Sequence, residues 1–203
     1  MASDAPKPYH HGHLRQALID AAVAEVEAVG PAALSLREIA RRAGVSHGAP
    51  AHHFRDKAGV FTAIATEAFR LAGRTIGPVA QGPYGFLDGG SAYIGFALAH
   101  PGHFAVMLRP DLYHDDDPEL SLARDEAFQI LYGSAADLDG LPPGADVTGL
   151  VLAGWSLAHG FATLWLNGNL KDRTGPAPAD VADQLRDGVI RLGRALEQQR
   201  GDQ

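Results

Sequence analysis

Residues 36–54 read LREIARRAGVSHGAPAHHF, and the fold follows from how that stretch is punctuated. Ser35-Leu36-Arg37-Glu38 has the form of a capping box, in which a serine hydroxyl and a glutamate three residues on satisfy the free amides of a helix start. The helix it opens is predicted over about Leu36–Ala43 and closes at Gly44, because the chain must turn through a left-handed conformation there. Ser46 is placed to cap a second short helix, His47 to about His53. Two short helices joined by a tight glycine turn form a helix-turn-helix. Leu36, Ile39, Ala40, Ala43, Val45 and Phe54 can face inward, which leaves His47, Ala49, His52 and Ala51 outward, small or hydrogen-bonding. A major groove about 12 Å wide accepts such a helix, with Arg42 and Lys57 placed to hold phosphates.

Outward from this core the pattern stays helical. Leu14, Leu18, Ala21, Ala22, Val26 and Val29 recur at steps of three and four, and Gly30-Pro31 stops the helix they define. Asp56 caps a long helix whose apolar positions, Val60 to Ile76, carry it to about Gly77. Gly82, Pro83, Gly85, Gly89 and Gly90 predict a loose connection before a helix over Ser91–Ala99. Asp117 and Pro118 read as the cap and first position of a helix to about Leu138. Val147–Leu166 carries no formal charge over 20 residues, long enough to cross a bilayer, yet its Thr, Ser, His and three Gly favour a buried helix of a globular domain. A loop over Gly168–Pro178 precedes a last helix, Ala179–Gln198, with Val181, Leu185, Val189, Leu192 and Leu196 on one face. No strand-period run occurs. The fold expected is all-α, with an N-terminal three-helix helix-turn-helix domain over 1–57 joined by the long helix to a helical bundle over 58–203.

The 203 residues are 46% hydrophobic and 20% charged, close to average globular usage, so disordered and fibrous classes are excluded. With no cysteine, disulfides, thiolate metal sites and cysteine nucleophiles are excluded too. The first residues, MASDAPKPYHHGH, lack the apolar run of a signal peptide, so a cytoplasmic location is expected. The net charge of −7 is unevenly spread. Residues 1–57 hold 7 basic and 6 acidic side chains, against 10 and 18 in the remainder, and six of the ten histidines precede residue 57. A polyanion would prefer the N-terminal part. No P-loop, nucleophile elbow, dinucleotide glycine pattern or metal-ligand helix is present, so an enzyme is not expected. His10, His11 and His13 lack a carboxylate cluster, and His100, His103, His114 and Asp115–Asp117 read as a helix start and an acidic loop, so neither a metal nor another cofactor is expected.

The stretch His10–Phe69, with REIARRAGVS, the short helix ending in HHF and DKAGVF after it, closely resembles the DNA-binding domain of TetR-family transcriptional regulators. Trp155-Ser156-Leu157-Ala158-His159-Gly160 resembles the Trp, His and Gly signature of the C-terminal domain in one TetR subgroup, and His100-Pro101-Gly102-His103-Phe104 resembles the family's usual sixth helix. The resemblance implies a base-reading helix at His47–His53 and phosphate contacts at Ser35, Ser46, His53 and Lys57. Two positions depart from the family: Pro50 stands where a large apolar residue is usual, and Ala51 where a phosphate-touching tyrosine is usual. His52 or His53 can take over that contact, and binding would then strengthen as pH falls through the range where histidine titrates.

The resemblance also implies an effector cavity between helices in the C-terminal region. Phe104, Met107, Phe128, Tyr132, Trp155 and His159 are the candidate lining, apolar groups with a few polar tips. Trp155 and His159 sit one turn apart on one helix face. The last two helices carry more apolar surface than one core needs, and the resemblance implies that they form a four-helix homodimer interface. The expected protein is a ligand-responsive repressor that binds a palindromic double-stranded DNA operator and leaves it when a small molecule binds, with no membrane association. The alternative is a helical protein-interaction adaptor that has lost DNA binding, raised by Pro50 and Ala51.

Overall fold

A computed structural model describes residues 11–82, 84–170 and 178–201. Among the described residues every regular element is helical: α1 (His11–Val29), α2 (Leu36–Arg42), α3 (Ala49–Phe54), α4 (Lys57–Ile76), α5 (Gly85–Ala99), α6 (Pro101–Met107), α7 (Pro118–Ala136), α8 (Thr148–Leu166) and α9 (Pro178–Gly201), with a single 3-10 turn at Pro31–Ala33. The loop expected before α9 falls mostly on residues 171–177, outside the described residues, as do His10 and the side chains of His11, Val181, Leu192 and Leu196.

The chain forms two compact units, one of residues 1–69 with 102–123, the other of 70–101 with 124–203. In the first, α1 buries Leu18, Ile19, Ala22 and Val26, α2 buries Ile39 and Ala40, and the first turns of α4 bury Val60, Phe61, Ile64 and Ala65. These are largely the faces that the three-and-four spacing predicts, but Val29, expected on the α1 stripe, is 50% exposed, and Ile19, outside it, is buried. The start of α6 packs on α1 at close range: a Cβ on Gly102 would lie 2.9 Å from the Val23 carbonyl oxygen, and Glu27 accepts from the Gly102 amide at 3.1 Å. A glycine there allows a backbone approach that any other residue would block.

In the second unit α5 buries Phe86, Tyr93, Ile94, Phe96 and Ala97, and α8 buries Val151, Ala158, Phe161 and Ala162. A Cβ on Gly154 would sit 2.4 Å from Phe86 Cζ, so the glycine lets the ring lie against α8. Phe86, Ala135 and Val151 form a small core with Leu131, Val147 and Leu150 around it.

Four expectations are corrected. Gly89 and Gly90 do not precede a helix but lie inside α5, which starts at Gly85. Gly85 and Gly89 serve close packing, since Cβ atoms there would meet the Ala80 backbone at 2.6 Å and Ile76 Cγ2 at 3.4 Å. The second short helix begins at Ala49, not His47, with Gly48 at its cap position and no side-chain cap. Pro50 thereby falls in the first turn, where its missing N–H has no intrahelical partner to lose. Only half of the capping box forms: Ser35 Oγ accepts from the Glu38 amide, while the Glu38 carboxylate turns to Arg41. Finally, α8 is not buried all round. It is long and apolar enough to cross a membrane, but only 22% of its apolar window is buried, and Leu152, Leu157 and Leu164 are exposed by 52%, 42% and 46%.

Candidate nucleic-acid interface and effector site

The α2–α3 segment presents a polar edge on an apolar base. Gly44 takes φ 67°, which turns the chain out of α2, and the Val45 amide closes back onto the Ala40 carbonyl at 3.0 Å. Pro50 and Phe54 are buried beneath α3, and this anchoring leaves Ala51 and His52 exposed, with Ala49 and His53 half-buried. Ser46 and His47 are exposed in the turn before α3, so His47 leads into the helix rather than standing on it. Ser35, half-buried, caps α2.

The cations around this edge differ in what they already hold. Arg42 Nε donates to the buried Glu25 carboxylate at 2.8 Å and lies 3.6 Å from Glu38. Arg41 pairs with Glu38. Lys57 Nζ donates to the Ala32 carbonyl at 3.0 Å and lies 5.6 Å above the Phe61 ring. Arg37 and Arg55 are exposed, and among the described residues no hydrogen bond or ion pair engages their guanidinium groups. Asp56 caps α4 by accepting from the Gly59 amide at 2.7 Å, and His114 Nε2 lies 3.1 Å from the same oxygen. That amide, helped by His114, holds the Asp56 carboxyl below the usual range.

In the second unit, α5, α7 and α8 bring four rings together. Phe128 meets Trp155 edge-on at 5.4 Å between centroids, and His159 lies 6.5 Å from Trp155 and 6.3 Å from Tyr93. Tyr93 OH is 3.0 Å from His159 Nδ1. The phenol donates to Nδ1 when the imidazole carries its proton on Nε2, and its oxygen accepts when Nδ1 is protonated. Burial pushes the Tyr93 phenol up to about 12, partly offset by Trp155, and burial pulls His159 below histidine's ordinary value. The cluster is an aromatic setting with one hydrogen-bonded polar pair, Tyr93 and His159.

Of the six candidate effector residues, Phe128, Trp155 and His159 are thus gathered, and Tyr132 on α7 is 39% exposed. Phe104 and Met107 lie on α6 in the first unit, where Met107 is core and its carbonyl accepts from Tyr113 OH at 3.2 Å. Sequence reasoning missed Tyr93 and Glu25. Tyr93 stands 66 positions from His159, and no local spacing links them. Glu25 carried a weak signal, a carboxylate on the apolar side of α1 next to Val26.

Comparison with known proteins agrees with this architecture. The profile of the family described as "Tetracyclin repressor-like, C-terminal domain" matches residues 86–189, just over half the chain, and that described as "Bacterial regulatory proteins, tetR family" matches 18–64. The chain belongs to the TetR family. It is 44% identical over 62 residues to the HTH-type transcriptional regulator BetI of Yersinia pestis (strain Pestoides F), covering 30% of this chain and 31% of that protein. The chain therefore matches less than a third of the length of its curated relatives. Among solved structures it is similar to a protein of unknown function from Rhodococcus sp. RHA1, with TM-score 0.73, 29% identity and 92% and 98% of the two chains covered. A tetR-family transcriptional regulator from Streptomyces coelicolor is also similar, with TM-score 0.67, 25% identity and 96% and 87% covered.

Proposed function

We propose that the chain is a homodimeric, ligand-responsive DNA-binding regulator, a repressor that leaves a palindromic operator when a small molecule binds. The observation that carries this reading is α3 itself: Pro50 and Phe54 fix it from below, and Ala51 and His52 are left exposed beside the exposed His47. In this reading His47, Ala49 and His52 meet base edges, and Ser35, Ser46, His53 and Lys57 meet phosphates. Arg42 joins them as an oriented donor whose charge Glu25 largely neutralises. The functional division follows the reading head, 1–57, and the effector and dimerisation domain, 58–203.

Phe128, Trp155, His159 and Tyr93 are the effector contacts we assign, in the Trp-His-Gly manner of one TetR subgroup. An effector with higher affinity for one setting of α4, a helix that contributes residues to both compact units, would shift the population of DNA-competent dimers. The exposed leucines of α8, together with α9, supply the face for the second copy. Half-sites would then lie roughly one helical turn, about 34 to 36 Å, apart.

The test is selection of duplexes from a random DNA library by the purified chain, followed by affinity at several salt concentrations. A palindromic consensus with a steep salt slope supports the regulator. A folded dimer that enriches no sequence refutes it and favours the adaptor.

A further inference from the structure

Arg55 passes the chain from α3 to α4 with its backbone at φ 68°, ψ −56°. The Asp56 amide donates to the Phe54 carbonyl across it at 2.8 Å. Arg55 is therefore the middle residue of a γ-turn of positive φ, a rare and strained form. Among the described residues it is the only non-glycine with positive φ. Contacts on both sides hold it in this conformation. The Arg55 amide donates to the Ala51 carbonyl at 2.9 Å, Asp56 holds the Gly59 amide, and a Cβ on Gly59 would lie 1.9 Å from the Phe54 oxygen. Phe54, the other end of the turn, is buried, with the Arg15 guanidinium 5.4 Å above its ring.

Glycine would adopt this conformation without strain. An arginine there adds only its side chain, and strained backbone of this kind gathers at working sites. The guanidinium is exposed at the C-terminal end of α3; it attracts the neighbouring Asp56 carboxylate, but, unlike Arg41, Arg42 and Lys57, it is engaged by no hydrogen bond or ion pair among the described residues. The N-terminal residues of a reading helix meet base edges, so its far end runs toward the sugar-phosphate backbone. A planar guanidinium fork matches a phosphate in two-pronged fashion.

We propose that Arg55 is a phosphate-binding residue of the operator complex, aimed by the strained turn. The proposal rests on the DNA-binding reading above and adds to it a contact that the sequence did not single out.

Arg55→Gly relieves the strain while removing the charge, and Arg55→Lys keeps both. With a duplex selected by the parent protein, Arg55→Gly is expected to melt at or above the parent temperature and to lower the salt slope by roughly 0.9 per site, about 2 per dimer. Affinity at 0.1 M salt should fall roughly tenfold per site on the same counterion argument. Arg55→Lys should retain the parent slope. A parent slope and affinity in Arg55→Gly overturn the Arg55 assignment while leaving DNA binding intact. A parent that enriches no duplex removes the DNA-binding reading and this contact with it. An Arg55→Gly that melts well below the parent overturns the proposal in favour of a folding role.

Discussion

Tyr93 OH lies 3.0 Å from Nδ1 of His159, and this bond joins α5 to α8. The phenol holds its proton to about pH 12, and burial favours the neutral form of the imidazole beside it.

The stability of the chain should carry that preference. The folded His159 titrates below the unfolded value of about 6.5, so between the two the unfolded state binds more protons. This contribution is complete above pH 6.5 and is lost as pH falls through the unfolded value toward the folded one. Denaturant midpoints measured from pH 8 to pH 5 should show His159→Gln losing less stability than the parent over the acidic part. Parallel curves would rule out the assignment.

Tyr93→Phe keeps the ring and deletes the hydroxyl that meets His159 Nδ1. The expected loss is about 1 kcal/mol. On the effector reading, a bound small molecule should also protect Tyr93→Phe less against heat than the parent, which thermal shift with candidate ligands would detect.

Gly59→Ala addresses the α3–α4 junction. A Cβ there would lie 1.9 Å from a backbone oxygen, and no rotamer change relieves it. Loss of at least about 2 kcal/mol is expected, beyond the small helix-propensity gain of alanine. A melting temperature equal to that of the parent would contradict the packing described.

Glu25 and Arg42 form a half-hidden ion pair in the first unit. Glu25→Ala removes the buried acceptor and should cost about 1 to 3 kcal/mol. Arg42→Ala should destabilise the chain while changing the DNA salt slope less than Arg55→Gly does, since its charge is already matched. An equal fall in slope for both would show that Glu25 does not neutralise Arg42.

Leu157→Glu with Leu164→Glu places charge on the open face of α8. Sedimentation should show a monomer whose far-ultraviolet circular dichroism is unchanged, and DNA affinity should fall with it. A dimer in the double variant would move the interface elsewhere.

The reading head was largely legible because its signals are local: Ser35 and Asp56 cap, Gly44 turns, and apolar spacing marks α1 and α4. Where tertiary packing overrode local preference, the reading failed. Gly89 and Gly90 look like breakers, yet α5 runs through them because neighbours press close at Gly85 and Gly89. Pro50 stood out only as a departure from the large apolar residue usual there; the helix starts two residues later than expected, and the burial of Pro50 makes it an anchor. Glu38 could serve either the Ser35 amide or Arg41, and sequence alone does not rank the two. Tyr93 with His159 and Glu25 with Arg42 are long-range pairs, invisible to any window of one or two turns.

The leucine face of α8 also bears on how much of the protein a cell would need. If a second copy is what covers Leu152, Leu157 and Leu164, assembly obeys mass action. At low abundance a doubling of chains would then raise dimers about fourfold, by the same law. A single hydrophobic stripe would thus make the share of paired chains depend on how many the cell holds.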